Sequence, residues 1–196
     1  MVWNFERILA ARGVLYILTR LGGPGLRRRS LDKYYRSGKW DNLDSEHSHE
    51  IVKIVEKYAR RGRILDMGCG TGILASRLAP DSFEYYRGVD ASSEAVTLAA
   101  KRAGRRVAFE ICDIQSYRFE DDFDCIVFEE SLYYVPFFRR SLLKRYAERL
   151  RPGGVFVVTV AHPRRFARMI RMIRNNFEMV EDRLSPGGGR LYLVFH

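Results

Sequence analysis

The chemistry of this chain is concentrated in Arg63 to Gly72, RILDMGCGTG, where an apolar run closes on Asp66 and glycines follow at positions 68, 70 and 72. Glycines so placed let the backbone adopt positive φ and come close to a ligand. A strand, a glycine turn and a helix in that order form a phosphate cradle in dinucleotide folds. Asp66, two residues ahead of the first glycine, would repel a pyrophosphate and suits a ligand that carries a cationic or ammonium group. Further carboxylates follow in Gly88-Val89-Asp90, in Cys112-Asp113-Ile114 and in Phe128-Glu129-Glu130-Ser131-Leu132-Tyr133-Tyr134-Val135. Asp90 lies about 20 residues beyond the glycine turn, the interval at which an acid reaches ribose hydroxyls. Each residue also has a plainer reading: the glycines as a tight turn, Asp90 as a helix N-cap, Asp113 as a turn residue, and Cys69 and Cys112 as small wall residues.

Those residues need strand ends to hold them. From Arg63 onward, apolar runs at Arg63–Met67, Tyr86–Asp90, Val107–Cys112, Phe123–Phe128 and Val155–Val160 alternate with helical patterns near 72–79, 93–102 and 136–150. This alternation predicts a doubly wound parallel α/β sheet with helices on both faces, which binds ligands at the carboxyl ends of its strands. A helix is expected over Ser45–Arg61 with Ser45 as its cap. A basic helix over Pro163–Asn175 leads to two strands, Phe177–Arg183 and Arg190–Phe195, that close the sheet edge. Residues 1–20 have amphipathic helical spacing, read as a helix packed on the domain, an interfacial membrane helix or a partner surface. Glu6, Arg7 and Arg12 interrupt the apolar run that a secretory leader needs. Residues 21–30, LGGPGLRRRS, read as a mobile basic linker. The division expected is 1–33 as N-terminal helix and linker, and 34–196 as one domain.

The glycine string resembles motif I of the class I S-adenosylmethionine-dependent methyltransferases. The acids after the second and third strands, the segment after the fourth, and the Leu150-Arg151-Pro152-Gly153-Gly154 turn before the fifth extend the resemblance from about Tyr34 to the C-terminus. It implies a seven-stranded, mostly parallel Rossmann-like sheet with an antiparallel C-terminal pair, and S-adenosylmethionine as cofactor with S-adenosylhomocysteine as product. Carried onto this sequence, Asp90 and the adjoining Ala91 serve the ribose, and Asp113 with Cys112 and Ile114 serves the adenine. Asp66, Gly68, Cys69, Gly70, Gly72 and Glu129 complete the cofactor site. The region before motif I often folds over the cofactor in this family, which makes Tyr35, Trp40 and His47 lid residues, Trp40 among the cofactor contacts.

EESLYYV is similar to the matching segment of nodulation-type N-methyltransferases, and it stands where sugar N-methyltransferases carry a His or Tyr that orients the amino group. Tyr133 or Tyr134 is expected in that role, Glu130 against the acceptor, and His162 as a base or as a helix-entry residue beside Pro163. The chain has no NPPY or DPPY string after the fourth strand and no Pro-Cys nucleophile, which disfavours base-flipping nucleic-acid enzymes. A small molecule or a glycan end fits as acceptor. The alternatives are an RNA or protein methyltransferase using the basic flanks, and a non-catalytic cofactor-binding module.

The 196 residues suffice for one core without staples. Three cysteines without a CxxC pair predict neither a disulfide framework nor a metal site, and a cytoplasmic location. The net charge of +10 taken alone would point to nucleic acid. It divides as +6 over residues 1–62, −5 over 63–135 and +9 over 136–196, an acidic middle between basic flanks. The flanks mark residues 1–30 and the arginine helix near residue 170 as surfaces for an anionic acceptor or peripheral membrane contact, and leave the oligomeric state open.

Overall fold

The structure, a computed structural model, describes residues 24–37, 47–135 and 139–196. The amphipathic segment 1–20, Trp40 and Ser45 lie outside them, and the side chain of His47 is likewise not described. Seven strands form one sheet: β1 (Arg63–Met67), β2 (Tyr85–Asp90), β3 (Val107–Ile111), β4 (Phe123–Glu129), β5 (Leu150–Ala161), β6 (Met179–Leu184) and β7 (Arg190–Phe195). Their order is β3-β2-β1-β4-β5-β7-β6. The first five are parallel, and β7 runs antiparallel to both β5 and β6.

The inner strands are apolar on both faces because helices cover both. Successive residues alternate between two cores. Leu65, Ile126, Phe128, Phe156 and Val158 point to one, and Ile64, Cys125, Val127, Val155 and Val157 to the other. The second face is covered by α2 (His47–Ala59), through Ile51, Ile54 and Val55, and by α3 (Ile73–Arg77). The first is covered by α5 (Arg139–Ala147), through Leu142, Leu143 and Tyr146, and by α6 (Ala167–Arg174), through Met169, Ile170 and Ile173. Strand β5 begins at Leu150, five residues earlier than the apolar run suggests, because Leu150 pairs with Phe123 ahead of a bulge.

One expectation is overturned at the N-terminal side. From Pro24 the chain is no linker but a helix, α1 (Pro24–Arg36), packed beside α4 (Ser93–Ala100). Proline is compatible with a helix's first turn, where its missing N–H would have no partner in any case. Asp32, on α1, is buried and accepts hydrogen bonds from the Ser92 and Ser93 hydroxyls and the Glu94 N–H at the start of α4. These contacts, with the Arg36–Glu94 ion pair, fix a segment whose glycines and arginines suggested mobility.

The chain runs outward from β1 through β2 to β3, then returns to β4 on the other side of β1. The switch point of the sheet therefore lies between β1 and β4, where an open α/β sheet leaves a crevice at its carboxyl ends.

Candidate functional site

A cavity of about 350 Å³ opens at that switch point. Its wall includes Gly68, Cys69 and Gly70 from the glycine turn, Asp90 and Ala91 after β2, Asp113 and Ile114 after β3, and Glu129, Glu130, Ser131 and Tyr134 after β4. The sequence-predicted residues that line it are thus drawn from four strand ends.

The glycine turn is built for close approach. Gly68 has φ +88°, and a Cβ there would stand 2.5 Å from that of Ser131, whose hydroxyl donates to the Met67 carbonyl across the β1–β4 gap. Gly72 does not reach the cavity. At φ +76° it precedes α3 in the left-handed region, and the ring of Phe109 fills the space a side chain would need. Its glycine serves helix-on-strand packing.

Asp90 accepts the Gly70 N–H at 3.0 Å and the Ser92 N–H at 2.8 Å, which ties the glycine turn to the end of β2. It is not the helix cap. Ser92 caps α4, accepting the Ala95 N–H. Burial pushes the Asp90 carboxyl up to about 6 against those backbone hydrogen bonds. Asp113 is both a turn residue and a wall residue: it accepts the Gln115 N–H at 2.9 Å and pairs with Arg27 of α1 at 2.6 Å.

Asp66 stands behind the wall and does not line it. It is 1% exposed, Tyr86 donates its hydroxyl to one carboxylate oxygen, and the other oxygen has no partner among the described residues. Burial raises this carboxyl to about 8, with the Tyr86 hydrogen bond opposing and the charges of Glu129 and Asp90 adding to the rise.

The acceptor-side expectations divide. Glu130, at φ +51°, accepts the Thr159 hydroxyl, the Ala161 N–H at 2.7 Å and the Tyr133 hydroxyl at 3.0 Å, and pairs with Arg190 at 3.2 Å. Its carboxylate is spent on holding β4, β5 and β7 together, which leaves it poorly placed as a base. Tyr133 does not line the cavity; its ring stacks on Phe166 with centroids 4.4 Å apart. Tyr134 does line it. His162 is exposed, at φ +56°, and outside the cavity, because its N–H is drawn to the Gly189 carbonyl as β5 ends and a short 3-10 helix, Pro163–Phe166, begins. Cys112 is also outside the wall and packs against the core.

Glu129 has the contrasting environment. Its nearest cation is Arg190 at 3.8 Å, and among the described residues no group donates a hydrogen bond to it. Burial raises its carboxyl to about 7, with Arg190 opposing.

Sequence reasoning missed Arg27, Leu31 and Arg190, all on the wall. Arg27, Leu31 and Tyr35 recur every four residues, which puts them on one face of α1 over the cavity; that period was the available signal. Tyr35, expected as a lid residue, lies with its hydroxyl 3.1 Å from where a Cβ on Gly70 would be. Arg190 faces Ala161 across the antiparallel pair, a register that only the fold supplies.

Residues 64–154 match the methyltransferase domain family. The 27-O-demethylrifamycin SV methyltransferase of Amycolatopsis mediterranei is 32% identical over 129 residues, which are 60% of this chain and 47% of that protein. This chain spans about half or less of the curated relatives it first matches. Among solved structures, the N-methyltransferase NodS of Bradyrhizobium japonicum with S-adenosyl-L-homocysteine superposes with a TM-score of 0.65 at 21% identity, over 80% of this chain and 90% of that one. The 1,6-didemethyltoxoflavin-N1-methyltransferase of Burkholderia thailandensis gives 0.69 at 23% identity, over 89% of each chain. Both show the same fold.

Proposed function

We propose, for a chain that carries a class I S-adenosylmethionine-dependent methyltransferase domain, that the cavity binds S-adenosylmethionine and transfers its methyl group to nitrogen or oxygen of a small acceptor. The observation that carries this reading is electrostatic. Asp66, Asp90 and Glu129 gather at neighbouring strand ends, all desolvated and all raised toward the protonated form. Carboxylates held so far from water complement a cationic ligand, whose charge would return them to the ionised state. A pyrophosphate would meet repulsion at the same place.

The wall residues fall into roles along the cavity. Gly68, Cys69 and Gly70 give the backbone approach. Asp90 and Ala91 take the ribose, and Asp113 and Ile114 the adenine. Glu129, with Asp66 behind it, takes the ammonium end. The bound cofactor supplies an electrophilic methyl on a sulfonium. The enzyme's own task is to align a nucleophile with that methyl and to exclude water. α1 contributes to exclusion, since Tyr35 covers Gly70 and Leu31 lines the same wall. Tyr134 is the wall tyrosine of the acceptor end and orients the acceptor. Tyr133, turned onto Glu130 and Phe166, supports the wall from behind.

The finer reading is an amine-bearing acceptor such as an amino sugar. It rests on the similarity of EESLYYV to the nodulation-type segment, while relatives named for O-methyl and N-methyl transfer keep oxygen acceptors in view. The test is S-adenosylhomocysteine formation by purified protein against amino sugars, phenols and carboxylates. A turned-over amino sugar, with turnover lowered in Tyr134→Phe, supports the reading. Turnover of phenols or carboxylates alone would reject the amine acceptor, and failure to bind the cofactor would reject the enzyme.

A further inference from the structure

Between Ala161 and Glu178 the chain holds five arginines and no acidic residue. The fold sorts them. α6 buries Met169, Ile170 and Ile173, which turns Arg164, Arg168 and Arg171 outward at spacings of four and three, one stripe along the helix and the turn before it. All three are exposed, and no hydrogen bond or ion pair reaches their guanidinium groups from the described residues. Arg174, by contrast, is held by Asp182 through two hydrogen bonds of 2.6 and 2.9 Å. Elsewhere Arg27, Arg63, Arg87, Arg151 and Arg183 are likewise matched to acids.

An apolar groove of about 330 Å³ runs beside the stripe, between α6 and the edge of the sheet, with Ile170, Leu184 and Leu191 in its lining and Arg171 at its rim. Leu184 is 53% and Val180 44% exposed. Leu184 falls on the β6 face that carries Asp182, the partner of Arg174 on α6, and so flanks the same helix, while Val180 sits at the bulge between Met179 and Glu181. The apolar groups here are aliphatic: no exposed large aromatic occurs among the described residues. Single-stranded nucleic acid is held by cations together with aromatic stacking platforms. Unpaired guanidinium groups beside exposed aliphatic side chains fit anionic headgroups over acyl chains instead.

We propose that the α6–β6 face docks on an anionic lipid bilayer. The face is continuous with the acceptor end of the cavity, since Phe166, next to Arg165, stacks on Tyr133, and Tyr134 follows on the wall. Docking there brings the cavity to the membrane surface, without requiring any span of it.

The test is co-sedimentation of the full chain with phosphatidylcholine vesicles, with and without phosphatidylglycerol, at low and high salt. Binding is expected only to the anionic vesicles and is lost at high salt. The triple variant Arg164→Glu/Arg168→Glu/Arg171→Glu is expected to bind well over ~100-fold more weakly, since each arginine removed costs roughly fivefold and the glutamates add repulsion. Leu184→Asp also weakens binding, while S-adenosylhomocysteine binding by each variant stays unchanged and reports an intact fold. A triple Arg→Gln variant gives an intermediate loss. Equal binding by wild type and both triple variants would overturn the proposal. So would indifference to phosphatidylglycerol, or salt-sensitive capture of single-stranded RNA in place of vesicles.

Discussion

Replacing Asp66 by asparagine tests the electrostatics of the cavity without changing its shape. The carboxyl is 1% exposed, and among the described residues its only hydrogen bond comes from Tyr86. Burial raises it from 3.8 to about 8. In the unfolded chain the group is ionised above about pH 4, so folding near neutrality must take up a proton. Its contribution to stability is therefore complete below the unfolded value and declines as pH rises toward 8. Asparagine carries no charge in either state. The variant's advantage over wild type should grow by about 1.4 kcal/mol per pH unit across that window, to about 4 kcal/mol at pH 7. In a protein of this size that corresponds to a rise on the order of 10 °C in Tm. Urea unfolding of both proteins from pH 4 to 8.5 measures it. The two curves should meet near pH 4 and separate toward pH 8, and the more stable Asp66→Asn protein should bind S-adenosylmethionine less tightly. Parallel curves would refute the reasoning, because they would mean that Asp66 is as well solvated folded as unfolded.

Gly68→Ala should lower stability by about 1–3 kcal/mol, from left-handed backbone strain and the clash with Ser131, and should abolish S-adenosylhomocysteine binding in calorimetry. Tyr133→Phe should cost about 1 kcal/mol of stability by removing the hydrogen bond that its hydroxyl donates to Glu130, whereas Tyr134→Phe should lower turnover more than Tyr133→Phe does; equal losses of turnover would contradict the division of roles. Arg190→Met should cost about 3 kcal/mol by leaving Glu129 and Glu130 facing each other without their cation. It should also make cofactor affinity fall more steeply below neutral pH, as Glu129 protonates more readily.

The sheet was legible because its strands are short apolar runs and its ligand turn is glycine-marked: β1, β2, β4 and the glycine string stand where the pattern puts them. α1 was not, since Gly-Gly-Pro-Gly reads locally as a break and the buried anchor, Asp32 on Ser92, is a contact across 60 residues. On the site, Asp90, Asp113 and Glu129 were legible from their place at strand ends. The separation of Tyr133 from Tyr134 was not, because adjacent residues of a 3-10 turn (Leu132–Tyr134) diverge according to what packs on them, here Phe166. His162 looked suited to chemistry by residue type, but the turn out of β5 carries it away from the cavity. Glu130 was legible as a wall residue, yet its hydrogen bonds to β5 depend on a register that sequence does not display.

The most direct test of the central claim is calorimetric titration of S-adenosylmethionine into the purified protein at several pH values near neutrality, in buffers of different ionisation enthalpy. One-to-one binding is expected, with net release of protons as Asp66, Asp90 and Glu129 ionise around the cation, and binding weakens as pH falls toward 6. Saturable binding with no proton release and no pH dependence would contradict the claim, as would no binding at all.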